Sequence, residues 1–145
     1  MATLSSVAEI IMGQSPPSDT YNDQGEGLPF YQGKTDFGLK YPAPRLYCTA
    51  PQKTAEAGDI LISVRAPVGP TNIAPEKSCI GRGLAAIRAK GIDAEFLFFN
   101  LRYVEPYIAS LGTGSTFTAI NKHHLADLEV NPNSGSLGIA VIVSQ

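Results

Sequence analysis

The chain has 145 residues, 43% of them hydrophobic and 17% charged, with a formal net charge of −2. That is the length of a single domain, apolar enough to build a packed core, and it excludes disorder, collagen and coiled coil. No apolar run approaches the ~20 residues of a membrane helix, so the expectation is a soluble protein.

In chain order, Leu4, Val7, Ile10 and Ile11 read either as a helical stripe or as a turn followed by a strand. Gly13 and the run Ser15-Pro16-Pro17-Ser18 end that element. Residues 18–27 are polar turn formers, and a short strand is predicted over 28–32. From Lys34 to Pro51, prolines and glycines alternate with Phe37, Tyr41 and Tyr47. Proline at that density removes ladder donors, so a long irregular excursion is expected there. Gly58-Asp59 leads into the best strand of the sequence, over 60–64. Short strands are predicted near 71–74 and 78–80, and a longer one over 84–89. Asp93 is a good N-cap for the main helix, near 93–110, which Pro106 should kink or split. Asn121 caps a last short helix. The fold class expected is α+β: a β-rich single domain with a small, mostly antiparallel sheet, long loops and one main helix. It spans residues 1–132, and 133–145 form a Ser/Gly turn and an apolar tail.

Two cysteines, Cys48 and Cys79, are too few for a disulfide framework or a structural zinc site. Residues 1–14 carry Glu9 and no Lys or Arg, so the positive start of a signal peptide is missing. The reading is a cytoplasmic protein with free thiols.

The small net charge conceals a pattern. Residues 1–33 hold four acids and no base, residues 34–90 hold nine bases against four acids, and residues 91–145 hold two bases against five acids. A basic middle with acidic flanks will meet a polyanion if its bases share a face. The alternative is that the bases pair with acids over the surface.

Gly81-Arg82-Gly83-Leu84-Ala85-Ala86 formally fits a dinucleotide fingerprint, but the run Ile87-Arg88-Ala89-Lys90-Gly91 behind it is too short for the required helix. The surviving reading is a tight turn that presents Arg82. Residues 112–116 have the composition of a phosphate loop without its Lys. They are either a donor-rich phosphate contact or a plain connection. His123 and His124 are adjacent and cannot chelate one metal from a helix face. No catalytic constellation has a recognisable signature, so neither an enzyme nor a bound cofactor is expected.

Five stretches, in order, carry a resemblance. They are Met12-Gly13-Gln14-Ser15-Pro16-Pro17, Phe30-Tyr31-Gln32-Gly33-Lys34, the run from Gly58 through Ser63-Val64-Arg65-Ala66-Pro67-Val68-Gly69, Cys79-Ile80-Gly81-Arg82-Gly83-Leu84-Ala85, and Gly112-Thr113-Gly114-Ser115-Thr116-Phe117. Together they resemble the target recognition domain of the specificity subunit of type I restriction-modification enzymes, over roughly residues 4–130. The resemblance implies a mixed α/β module without chemistry of its own, reading half of a split double-stranded DNA target from its loops. It also implies methyltransferase subunits as partners and restriction subunits in the larger complex. The family continues past the last strand into a Pro-rich segment and a long spacer helix. Here Val130-Asn131-Pro132 runs into Asn133-Ser134-Gly135-Ser136-Leu137 instead.

Chemistry and position then nominate contacts. Lys34, Arg65 and Arg82 can reach guanine edges, and Gln32 and Asn72 can pair adenine. Lys40 and Arg45 lie in the excursion expected to hold more of the base readout. Thr113, Ser115, Thr116 and Lys122 suit phosphates. Residues 63–69 are read as a fold-determining turn. The rival class is a protein-interaction or regulatory module that docks on such a complex without DNA, with the apolar tail packing on a partner or forming a dimer.

Overall fold

The computed structural model describes residues 2–112 and 119–131. Strand β1 (Ala2–Thr3) leads into the one-turn helix α1 (Leu4–Val7) and then β2 (Ala8–Met12), so the first apolar stretch is a turn followed by a strand. After the Pro-rich break come β3 (Tyr21–Asn22) and β4 (Leu28–Tyr31). The excursion from Lys34 begins with a 3-10 turn and is less irregular than expected, because it contains β5 (Leu46–Cys48). Those three residues lie between Pro44 and Pro51, and each can use its backbone donors. They pair antiparallel with both β3 and β4.

Next come β6 (Thr54–Ala55), β7 (Ile60–Ser63), β8 (Thr71–Ile73), β9 (Ser78–Ile80) and β10 (Leu84–Ala89). The main helical stretch is two helices, α2 (Ala94–Tyr103) and α3 (Glu105–Leu111), separated at Val104. Pro106 sits in the first turn of α3, where its missing N–H goes unneeded. Asp93 caps α2 by accepting from the Phe96 N–H at 2.8 Å. Asn121 caps α4 (Lys122–Ala126) in a reciprocal box with His124, and β11 (Glu129–Val130) closes back on β1.

The described strands form three sheets rather than one. A four-stranded antiparallel sheet has the order β2-β10-β7-β8, a five-stranded sheet the order β3-β5-β4-β9-β6, and β1-β11 is a separate pair. Only β4 and β9 run parallel among the described pairs. The α+β class and the mostly antiparallel pairing expected from the sequence are what the structure has.

Period-2 alternation explains the layering. On β7 and β10, Ile60, Ile62, Ala85 and Ile87 face the helices and join Leu97, Phe98, Leu101 and Ile108 in the largest core. Leu61, Leu84 and Ala86 face the other way and meet Tyr31 and Ile80 of the five-stranded sheet. The four-stranded sheet is therefore covered on both faces, which is why its strands read as continuous apolar runs. Beyond, Phe30 packs with Cys48 and Cys79, both free thiols and fully buried.

Candidate nucleic-acid interface

The turn between β9 and β10 joins the two larger sheets, and it is tight. A Cβ on Gly83 would lie 2.3 Å from the Gln32 carbonyl oxygen, and one on Gly13 would lie 1.9 Å from that of Gly81. Such approaches require glycine at both positions. The Gly81 N–H donates to the Tyr31 carbonyl at 2.9 Å, and the Arg82 N–H donates to Ser15 Oγ at 3.2 Å. With its backbone so held, the Arg82 side chain stands exposed. The dinucleotide motif is thereby ruled out in space as well, since residues 84–89 are a strand.

Arg65 is presented by the neighbouring loop. Ser63, itself buried, directs its hydroxyl at the carbonyls of Arg65 and Pro67, at 3.0 and 2.7 Å. The Ser63 amide donates to Pro70 and the Gly69 amide back to Ser63, at 2.9 and 3.0 Å. Gly69 has φ +119, and a Cβ there would meet the Glu105 carbonyl oxygen at 2.9 Å. The turn-forming reading of residues 63–69 matches these bonds. Arg65 projects from the loop, exposed.

Gln32 and Lys34 follow the end of β4. Asp36, buried in the first turn of the excursion, accepts from the Gln32 N–H at 2.8 Å and from Arg45 Nε at 2.9 Å. Sequence reasoning misses this carboxylate. Its signal there is slight: an acid two residues past a Gly-Lys pair.

These loops enclose a cleft of about 400 Å³ lined by Ser15, Tyr21, Gln32, Lys34, Ser63, Arg65 and Arg82, with no acid. The Tyr21 hydroxyl donates to the Pro16 carbonyl, and burial pushes its phenol pKa up. A second hollow of about 430 Å³ shares Arg65 and Arg82 and adds Asn121 and His124. Four residues nominated from the sequence thus share one cleft.

The remaining nominations, and the other bases of the chain, separate by what holds them. Lys40 pairs with Glu95 at 3.1 Å, which raises its pKa, and Arg45 pairs with Asp36. Arg88 is held by Asp59 at 2.7 Å and Glu9 at 3.5 Å, and Arg102 by Glu105 at 3.6 Å. For these four bases the surface-pairing reading is the correct one. Among the described residues, Lys34, Arg65 and Arg82 are in no ion pair. Asn72 is a correction: it is 1% exposed and its amide is used up inside the fold, so it is not free to pair adenine. Lys122 is exposed on the first turn of α4, directly after Asn121, which lines the second hollow. Thr113, Ser115 and Thr116 lie outside the described residues. His123 meets Asp127 at 3.2 Å, and no group of three metal-ligating side chains occurs among the described residues. No described helix is long and apolar enough to cross a membrane.

The fold that brings these loops together is that of a known family. The chain belongs to the type I restriction modification DNA specificity domains, whose family model matches residues 1–131. It is 54% identical over 124 residues to a putative type I restriction enzyme MjaX specificity subunit of Methanocaldococcus jannaschii, covering 84% of this chain and 29% of that one. The crystal structure of the HsdS subunit from Thermoanaerobacter tengcongensis is 52% identical with a TM-score of 0.79, over 88% of this chain and 31% of that one. A chain solved in work on complex assembly and conformational transition of the type I R-M system is 47% identical with a TM-score of 0.86, over 99% and 36%. The S subunit from M. genitalium, at 17% identity and a TM-score of 0.68, shares the fold. This chain spans about a third of the length of these relatives.

Proposed function

We propose that the chain reads one half of a split double-stranded DNA target for a type I restriction-modification system, and has no chemistry of its own. The observation that carries this is the acid-free cleft in which Lys34, Arg65 and Arg82 converge unpaired, beside the amide of Gln32. Unpaired cations in a concave site concentrate phosphate, and guanidinium and amide groups on held backbones suit base edges. Residues 1–132 are the recognition unit, and residues 133–145 stand outside it. Methyltransferase subunits, joined by restriction subunits in the larger complex, supply further phosphate contacts, which suits a domain whose own charge is only −2.

The test is a titration of the chain against a randomised duplex library at low salt, repeated as salt rises. A short enriched motif is expected, with log K falling linearly in log salt. Lys34→Ala combined with Arg82→Ala should lower the slope by up to about 2 if both meet phosphate, or cost about 1–3 kcal/mol per base-reading contact. The urea midpoint of the double variant should stay unchanged. Absence of any enriched motif, or wild-type binding by the folded double variant, would refute the proposal.

A further inference from the structure

In the loop at residues 36–43, Tyr41 is half-exposed and Leu39 stands almost wholly in water. Leu39 is 95% exposed, more than any other large hydrophobic residue described. The backbone on either side of it is pinned. The Gly38 N–H donates to Asn72 Oδ1 at 2.9 Å, and the Gly38 carbonyl accepts from Asn72 Nδ2 at 3.0 Å. The Lys40 carbonyl accepts from the Ile73 N–H at 2.7 Å, and the Ala43 N–H donates to the Asp36 carbonyl at 3.1 Å. Lys40 is tied to Glu95 of α2 as well. A buried amide and a strand edge therefore clamp residues 38 and 40, and the side chain between them is almost free of contact. A scattered surface leucine needs no explanation. This one is displayed on a backbone already ordered, so a ligand that covers it incurs no loop-ordering cost.

Its neighbours indicate the ligand. Leu39 lines a hollow of about 270 Å³ together with Lys34, Phe37 and Asn72. Lys34 lines the cationic cleft too. A single lysine thus joins the apolar tip to the surface where we place the DNA. The major-groove edge of a base pair offers one apolar group, the C5-methyl of thymine.

We infer that Leu39 is a base-reading residue whose side chain packs on a thymine C5-methyl in the duplex held at the cationic cleft. This rests on the DNA-recognition reading above. The experiment replaces each thymine of the motif enriched by the wild-type chain with deoxyuridine, one at a time. Uracil keeps the same hydrogen-bonding edge and lacks only the methyl. At one position the replacement should weaken wild-type binding about fourfold, the worth of one buried methyl. Leu39→Ala, with its urea midpoint unchanged, should bind the two duplexes equally and no longer prefer thymine there. A motif with no uracil-sensitive position, or an equal loss in Leu39→Ala, overturns the role of Leu39 and leaves the recognition reading standing. A wild-type chain that enriches no motif overturns both.

Discussion

Asn72 brings two donors and one acceptor to a position 1% exposed, and each has a partner: Gly38 twice, and the Thr71 carbonyl at 2.6 Å. Buried amides persist only when satisfied in this way. Asn72→Ala should therefore destabilise the chain by about 1–3 kcal/mol, since it removes both hydrogen bonds that hold Gly38 and the buried amide's bond to Thr71. It should also speed hydrogen exchange at the Gly38 and Ile73 amides, which urea unfolding and exchange measurements will show. In the sequence, Asn72 looked like a base-reading amide because residue type says what a side chain can bond, not whether water reaches it. Lys34, Arg65 and Arg82 stood beside Lys40 and Arg45 as candidates, and Arg88 was one more base of the same basic stretch. Only the positions of Glu95, Asp36 and Asp59 divided the two sets.

At the scale of the element, most boundaries were legible because they depend on neighbouring residues. Gly58-Asp59 before β7, Asp93 before α2 and Asn121 before α4 act through local backbone geometry. Pro106 split the helical stretch as its chemistry requires. β5 was missed because strand pairing outweighed the prolines around it. The β9–β10 turn shows how an element positions a site. In Gly83→Ala the new methyl has no room beside the Gln32 carbonyl, so the turn must move. A loss of about 1–3 kcal/mol is expected, together with weaker DNA binding than Arg82→Ala alone, because Gln32, Arg82 and Val64 shift at once. The Val64 N–H donates to the Gly83 carbonyl at 2.9 Å. Comparing urea midpoints and library titrations of the two variants checks this.

For the whole molecule, the buried Cys79 thiol and Tyr31 phenol should make stability fall at alkaline pH. Burial, and next the neighbouring Cys48, pushes the Cys79 thiol up to about 11 from 9.0, and burial pushes the Tyr31 phenol up to about 12 from 10.0. The folded chain keeps these protons where the unfolded chain releases them. Stability should thus hold below pH 9, then fall as pH rises from 9 to 11, by up to about 1.4 kcal/mol per pH unit for the thiol. Tyr31 adds a second fall between 10 and 12. Urea midpoints at pH 8, 9, 10 and 11 will show the slope, and Cys79→Ala should remove its first part.

The sequence by itself determined the α+β class, the order of most elements, the turn at Gly81-Arg82-Gly83 and the family. Each of these lies in local chain geometry or in ordered motifs. The division of the strands into three sheets, the convergence of Gln32, Lys34, Arg65 and Arg82, the pairing of Lys40, Arg45 and Arg88, and the burial of Asn72 were decided by the tertiary structure. They are distances between residues up to 128 positions apart, such as Ala2 and Val130. Local propensity carries no record of such distances until the sheets have packed.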